Sequence, residues 1–361
     1  MSARVLVLGS DTAASRCISA ALASDPSIEC VIGGHRVGAL CAYAEEIGAE
    51  VRAINLSDQA SLRQALDGIF AVVNTLPAHT LGGYEVAGQC ARTAVHYIDL
   101  AGNPAHVAGI TAFRRKAESA ACLLVSGATA VPAVSGVLVD LLAQEFERLK
   151  AIHIAILPAD DGRSWLDTVR AVAPRAGQPL RVKQENLWRD SYFWSEPGEV
   201  LFPAPFGRRR VYLCDVPDLR LFPSRYAAET VTFRVGLQSA FANRVLSAMA
   251  RFRHRKHSAD PAHQSVEADP RDGLQRLLDR TAAVHVRVQG LCDGLETTRM
   301  ACLVNRSGLA PVISCSPAIA LIKHWVRRGV SGAGAVPCLG LLNLEALKAG
   351  LLEHDIVLVR S

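Results

Sequence analysis

The stretch that decides the fold lies at the start of the chain and reads Arg4-Val-Leu-Val-Leu-Gly-Ser-Asp-Thr-Ala-Ala-Ser15. Val5 to Leu8 form an uninterrupted apolar run, which is typical of a strand buried on both faces of a parallel sheet. Gly9 ends the run, and apolar residues then recur at helical spacing up to Leu22. A strand, a glycine turn and a helix in this order predict a dinucleotide-binding fold, because a helix N-terminus attracts the pyrophosphate anion.

The glycine turn departs from the G-x-G-x-x-G pattern of such folds. Counted from Gly9, Asp11 and Ala14 occupy the second and third glycine positions. Ala14 is small enough for the third position, whereas the carboxylate of Asp11 repels phosphate unless it turns away to cap the helix, a role that Thr12 can also take. The sequence therefore predicts the fold and leaves open whether the turn still binds a nucleotide well.

Composition bounds the class of protein. The chain has 361 residues, half of them hydrophobic, and a mild net charge of +5, which does not by itself imply a nucleic-acid partner. Its ten cysteines form no C-x-x-C pair, so we interpret them as core residues in a reducing compartment and expect no metal site. No secretory signal is apparent, and a cytoplasmic location is expected.

The order of the predicted elements indicates two domains. Strands and helices alternate at short intervals over residues 1–128, which predicts a Rossmann-type doubly wound parallel sheet. Residues 129–335 show strands with longer joins, which indicates an α+β domain with a mostly antiparallel sheet. Residues 336–361 are expected to return to the first domain. The uncharged stretch 119–139 is interpreted as strand, turn and helix rather than a membrane span, because it contains glycine, proline and serine.

The end of the predicted second strand indicates the cofactor. His35 and Arg36 follow this strand, and no acidic residue lies between Val31 and Tyr43. An acidic residue there would bind the ribose 2′-hydroxyl, whereas a base suits a 2′-phosphate, so NADP is favoured over NAD. A solvent-exposed arginine on a loop is the alternative interpretation of Arg36.

Polar residues follow the predicted fourth and fifth strands, whose ends should line one crevice. Asp99, His79 and Asn103 are the groups that we expect nearest a reacting centre, and His79 is a candidate proton shuttle because its ordinary pKa lies near neutrality. A helix cap or a backbone hydrogen bond is an equally good explanation of Asp99.

The order of these motifs resembles the saccharopine dehydrogenase-like family, in its short bacterial members. The resemblance rests on Val-Leu-Val-Leu-Gly at the start, Gly-His-Arg36, Val-Val-Asn-Thr-Leu-Pro77, His-Tyr-Ile-Asp-Leu-Ala-Gly102 and the stretch from Gly127 to Asp140. Later stretches such as Trp194-Ser-Glu-Pro-Gly and Pro337-Cys-Leu-Gly-Leu-Leu resemble the family's substrate domain, so the resemblance covers most of the chain. The missing second glycine and Ala133, where relatives often have Pro-Gly, are departures.

The resemblance implies an NAD(P)-dependent oxidoreductase that acts on a C–N bond of an imine or secondary amine, or on a related carbonyl compound, with a small-molecule substrate. By position, it assigns cofactor binding to Gly9, Ser10, Asp11, Thr12, Ala13, Ala14, His35, Arg36, Asn74, Thr75, Leu76, Pro77, Ala101 and Gly102. We also expect a homodimer. The alternative is a non-catalytic binding or scaffold protein with an eroded cofactor site.

The resemblance assigns no role to one basic stretch of the sequence. Arg251-Phe-Arg-His-Arg-Lys-His257 follows an apolar helical segment. A solvated helix end is the simpler interpretation, and a weak membrane-surface contact is the sharper one.

Overall fold

The structure, a computed structural model, describes residues 2–9, 12–35, 37–77, 84–160, 162, 164–259, 273–306, 311–351 and 355–361. The chain divides into two compact units. The first comprises Met1–Ala133 and Ser314–Leu352, and the second comprises Val134–Ile313 and Glu353–Ser361.

The described elements are sixteen strands and thirteen α-helices. The strands are β1 (Ala3–Leu8), β2 (Ile28–Gly34), β3 (Glu50–Ala53), β4 (Ala71–Asn74), β5 (His96–Asp99), β6 (Leu123–Ser126), β7 (Arg148–Pro158), β8 (Pro179–Gln184), β9 (Leu187–Tyr192), β10 (Gly198–Phe202), β11 (Gly207–Leu213), β12 (Thr230–Val235), β13 (Thr281–Cys292), β14 (Leu295–Asn305), β15 (Gly334–Pro337) and β16 (Ile356–Arg360). The helices are α1 (Ala13–Ala23), α2 (Val37–Ile47), α3 (Gln59–Ala65), α4 (Glu85–Arg92), α5 (Pro104–Gly109), α6 (Arg114–Ser119), α7 (Ser135–Ala143), α8 (Trp165–Val172), α9 (Asp218–Arg225), α10 (Ala240–Ala259), α11 (Gly273–Leu278), α12 (Val312–Arg328) and α13 (Leu344–Gly350).

The first unit is built on a seven-stranded parallel sheet in the order β15-β6-β5-β4-β1-β2-β3. Its first six strands follow the Rossmann order, and the order reverses between β1 and β4. The apolar run Val5–Leu8 is at most 1% exposed, as expected of a central parallel strand. The predicted Rossmann-type sheet is therefore confirmed.

The second unit is built on a mixed sheet in the order β10-β11-β12-β7-β13-β14-β16, with β8 pairing both β12 and β9. β12 and β7 are parallel, and the other pairs are antiparallel. Helices α7 and α9 pack on this sheet. The predicted α+β class with a mostly antiparallel sheet is confirmed.

The chain re-enters the first unit at Ser314, before the predicted boundary at residue 335, and remains in it to Leu352, whereas its last strand lies in the second unit and not in the first. β16 pairs with β14 in the second unit, with Val304 opposite Val357. β15, which spans the predicted boundary, pairs with β6 in the first unit. The last part of β14, Ala301–Asn305, is buried, and β16 satisfies its backbone hydrogen bonds along that edge.

The uncharged stretch 119–139 contains β6 and the first half of α7, in agreement with its interpretation as strand, turn and helix. Among the helices that the structure describes, none has the length and apolar character needed to cross a membrane.

Candidate functional site

Gly9 follows β1 directly and lies beside the end of β4, at the point where the strand order reverses. Its φ of +123° lies in a region that favours glycine, and a Cβ there would come within 2.1 Å of the Thr75 side-chain oxygen. Thr75 donates both its amide N–H and its hydroxyl to the carbonyl oxygen of Leu8, each at 2.8 Å. The requirement for glycine at this turn therefore arises from the neighbouring strand, in addition to any ligand.

Helix α1 begins directly after the turn. Thr12 is its N-cap, and the Thr12 hydroxyl oxygen accepts a hydrogen bond from the amide of Ser15 at 3.1 Å. Ala13 is exposed and Ala14 is half-buried, and within the described part of the chain the amide N–H groups of both residues have no hydrogen-bond partner. Such a first turn attracts an anion. Ser10 and Asp11 lie outside the described residues.

The end of β2 carries His35, which is exposed. Arg36, on which the expectation of NADP rests, lies outside the described residues. The side chain of Tyr43 in α2 contacts α1, because the Arg16 guanidinium lies 4.5 Å from the centre of the Tyr43 ring.

The end of β4 forms a turn held by Asn74. Its side-chain oxygen accepts a hydrogen bond from the amide of Leu76 at 3.1 Å, and its side-chain nitrogen donates to the Tyr97 hydroxyl at 3.0 Å. Thr75 and Leu76 are half-buried and Pro77 is exposed. His79, the predicted proton shuttle, lies outside the described residues.

Asp99 is the centre of a buried hydrogen-bond network at the end of β5. It is 3% exposed, and its Oδ1 accepts hydrogen bonds from the Ser126 hydroxyl at 2.8 Å and from the amides of Ala101 and Gly127 at 3.0 Å. Its Oδ2 accepts from the Tyr97 hydroxyl at 3.2 Å and lies 3.4 Å from Nε2 of His106. The network joins β5, β6 and α5, so Asp99 has a structural role, and a role in proton transfer stays a prediction.

Two tyrosines flank this carboxylate. Burial and the charge of Asp99 hold the pKa of Tyr97 well above its usual value and raise that of Tyr84 to about 12. The Tyr84 ring stacks on His106 with centres 4.3 Å apart, and the Tyr84 hydroxyl donates to the His106 carbonyl oxygen. Both tyrosines are therefore neutral hydrogen-bond donors at physiological pH.

Asn103 is the N-cap of α5. Its side-chain oxygen accepts hydrogen bonds from the amides of Ala105 at 2.9 Å and His106 at 3.1 Å. Ala101 and Gly102, which precede it, are buried. Asn103 and Asp99 are thus close together, since His106 contacts both of them. The side-chain oxygen of Asn103 is used in capping the helix.

A second buried carboxylate, which the sequence did not indicate, lies in the second unit. Asp218 in the first turn of α9 is fully buried, and one of its oxygens accepts a hydrogen bond from the hydroxyl of Ser135, which begins α7. Its other oxygen has no hydrogen-bond partner among the described residues. Burial raises the pKa of Asp218 to about 7, against a smaller lowering by the Ser135 hydrogen bond.

Tyr97, His106 and Ser126 were not predicted as partners of Asp99. Tyr97 is two residues from Asp99 on one strand, so both side chains point to the same face of the sheet, and this spacing could have indicated their contact. Ser126 ends β6, which neighbours β5, whereas Ser135 and Asp218 are 83 positions apart and no local pattern connects them.

Comparison with solved structures reveals a fold shared along nearly the whole chain. The saccharopine dehydrogenase (L-Glu forming) of Saccharomyces cerevisiae is similar with a TM-score of 0.69 and 14% sequence identity, over 99% of this chain and 100% of that one. The chain therefore has the fold of that enzyme.

Other likenesses are weaker. A protein described as a probable dehydrogenase from Thermotoga maritima has a TM-score of 0.46 and 12% identity over 97% of this chain and 93% of that one. A dehydrogenase from Clostridium difficile has a TM-score of 0.42 and 9% identity over 97% and 96%. No family model matches the sequence, and no curated protein matches it in sequence.

Proposed function

We propose that the chain is an NADP-dependent oxidoreductase whose first unit binds the dinucleotide. The observation that carries the proposal is the position of α1, which begins where the strand order of a parallel sheet reverses, between β1 and β4. Ligands of such sheets bind outside the strand ends at this point. The exposed first turn of α1 presents the amides of Ala13 and Ala14 to an anion there.

Small residues around the turn fit a pyrophosphate. Ala13 and Ala14 place no bulky side chain on the first turn of α1, and Thr12 caps the helix through its own hydroxyl. Because Thr12 takes the capping role, Asp11 is not required as the cap. In the proposed complex, residues 9–14 hold the phosphates, and Asn74–Pro77 with Ala101 and Gly102 border the ribose and nicotinamide.

The preference for NADP rests on charge at the end of β2. His35 is exposed there, Arg36 follows it, and the segment from Val31 to Tyr43 contains no carboxylate that would bind a free ribose 2′-hydroxyl. A 2′-phosphate would gain a charge-assisted hydrogen bond from a guanidinium in this position.

The proposed reaction is reduction or oxidation at a C–N bond, or of a related carbonyl compound. The fold shared with saccharopine dehydrogenase over 99% of the chain supports it. Bound nicotinamide supplies or accepts the hydride, and the protein orients the substrate and moves a proton. His79 is the first candidate for the group that donates or accepts this proton, because the side chains of Asp99 and Asn103 are already engaged in hydrogen bonds.

Cofactor binding tests this function first. We expect purified protein to enhance and shift nicotinamide fluorescence on titration with NADPH, with a weaker response to NADH. Arg36→Ala should weaken NADPH binding by about tenfold or more, in line with one lost charge-assisted hydrogen bond, and leave NADH binding unchanged. Arg63→Ala, which removes an exposed arginine of α3, is the matched control and should leave both titrations unchanged.

Activity is the second test. A panel of imines, formed from carbonyl compounds and primary amines, should include one that oxidises bound NADPH. Binding of neither nucleotide would overturn the proposal and favour the scaffold alternative. If the Asp11→Gly variant then bound a nucleotide, the altered glycine turn would explain why the wild-type protein does not.

A further inference from the structure

Helix α10 exposes residues that recur three or four positions apart along its length. Its exposed residues between Ala240 and Lys256 are Phe241, Arg244, Ala248, Arg251, Phe252 and Arg255. At 3.6 residues per turn they lie on one side of the helix, and Phe241 and Phe252 differ in direction by only about 20°. The two phenylalanines are 55% and 62% exposed. This side of α10 is therefore apolar and cationic at once.

Helix α8 extends the apolar part of this surface. Trp165 is 43% exposed and Leu166 is 39% exposed. The Trp165 ring packs edge to face on Phe241, with centres 4.8 Å apart and planes at 89°. We call the surface formed by Trp165, Phe241, Phe252, Arg244, Arg251 and Arg255 the basic aromatic face.

The arginines of this face are not ion-paired within the described part of the chain. Arg244, Arg251 and Arg255 form no ion pair with any residue that the structure describes, and α10 contains no aspartate or glutamate. Elsewhere in the second unit, the exposed Arg208 pairs with Glu199 at 3.0 Å. The contrast indicates that the charge on α10 is available to an external anion.

We propose that the basic aromatic face binds the surface of an anionic lipid bilayer, with α10 lying parallel to the membrane plane. Arginines along one side of the helix would contact lipid phosphates and carboxylates, and Phe241, Phe252 and Trp165 would enter the boundary between headgroups and acyl chains. Exposed phenylalanines favour a bilayer over a nucleic acid, because a bilayer removes their apolar surface from water while its headgroups remain in contact with the guanidinium groups.

Sedimentation of the full chain with vesicles tests the proposal. The vesicles are phosphatidylcholine alone, or phosphatidylcholine with phosphatidylserine as roughly a third of the lipid. We expect binding to the second kind at low salt, weaker binding at high salt because the charges are screened, and little binding to the first kind.

Paired variants identify the surface. Arg244→Glu combined with Arg251→Glu should weaken binding by about 25-fold or more, since each lost arginine contact is worth about fivefold. The matched control, Arg63→Glu with Arg115→Glu, makes the same change in net charge at exposed positions of α3 and α6 in the first unit and should keep the binding. Phe241→Ser, with the arginines intact, should reduce binding several-fold and establish the apolar contribution.

Three results would overturn the proposal. They are no binding to phosphatidylserine vesicles at low salt, an equal loss in the control pair, and equal binding to both kinds of vesicle. Tight binding of single-stranded RNA that is lost in Arg244→Glu/Arg251→Glu, without vesicle binding, would identify the face as a nucleic-acid site instead. Nucleotide titration of the same variants separates this result from the proposed function, because α10 lies in the second unit.

Discussion

Asp99 and Asp218 are both buried carboxylates, and the two units of the chain accommodate them in opposite ways. Asp99 accepts four hydrogen bonds from the backbone and from neutral hydroxyls, and His106 lies beside its second oxygen. Asp218 accepts one hydrogen bond, from the Ser135 hydroxyl, and its second oxygen has no hydrogen-bond partner among the described residues. A buried polar group lowers stability unless it is hydrogen-bonded, so the two sites differ in energy although both carboxylates are buried.

The difference follows from the position of each residue in the sheet or helix. Asp99 lies at the end of a parallel strand, where the neighbouring strand ends at Ser126 and the chain turns back through Ala101, so amides converge on it. Asp218 lies in the first turn of α9, and its side chain points into the interior of the second unit, where it contacts Ser135 of α7. A network that joins three elements stabilises the fold, whereas a lone buried carboxyl makes stability depend on pH.

Removal of the Asp99 carboxylate should have the largest effect. In Asp99→Ala, the Ser126 hydroxyl and the amides of Ala101 and Gly127 lose their acceptor inside a buried site, and we expect the free energy of unfolding to fall by about 4 kcal/mol. Urea unfolding followed by circular dichroism measures it. Asp67→Ala, at an exposed turn after α3, is the control and should change the free energy by less than about 0.5 kcal/mol. Equal midpoints for the two variants would show that the network does not stabilise the unit.

The Asp218 carboxyl should make stability fall as pH rises. In the unfolded chain the group ionises near its usual pKa of 3.8, whereas in the folded protein burial holds that pKa near 7. Below the first value the group is protonated in both states. Between the two values the unfolded state alone releases its proton, so folding loses free energy, and the loss levels off above pH 7.

Asp218→Asn should remove this dependence, because an amide does not titrate. Between pH 5 and pH 8, the wild-type protein should lose about 3 kcal/mol of unfolding free energy relative to Asp218→Asn. Urea unfolding of both proteins at several pH values measures the difference between the curves, so that any constant effect of the substitution cancels. Parallel curves would contradict the raised pKa of Asp218.

The sequence predicts the environment of Asp99 much better than that of Asp218. A short apolar run followed by polar residues places Asp99 at the end of a parallel strand, and the ends of neighbouring strands meet at one edge of the sheet. The direction of its carboxylate could not be read from the sequence, because it depends on amides supplied by the turns at Ala101 and Gly127.

Asp218 carries no local signal of burial. An acidic residue at the start of a helix ordinarily remains in solvent and interacts with the helix dipole. Its burial depends on α7, which begins 83 residues earlier, and distant contacts of this kind leave no periodicity in the sequence. The pairing of β16 with β14 was missed for the same reason, since an apolar strand shows that it needs a partner without showing which one.

Two serine substitutions should have the smallest effects on the free energy of unfolding. Together they allow a direct comparison of the two carboxylate sites. Ser126 and Ser135 are both fully buried, and each donates its hydroxyl to one of the two carboxylates. Ser126→Ala removes one of several donors to Asp99 and should lower the free energy of unfolding by about 1 kcal/mol.

Ser135→Ala should act differently, because its hydroxyl is the side-chain donor that lowers the pKa of Asp218. Without it the folded pKa rises further, so stability should continue to decline above pH 7, where the wild-type curve becomes flat. Urea unfolding of both serine variants from pH 6 to alkaline pH, at the same protein concentration, measures this. If Ser135→Ala levels off at the same pH as the wild type, the serine does not control the titration of Asp218, and burial alone sets its pKa.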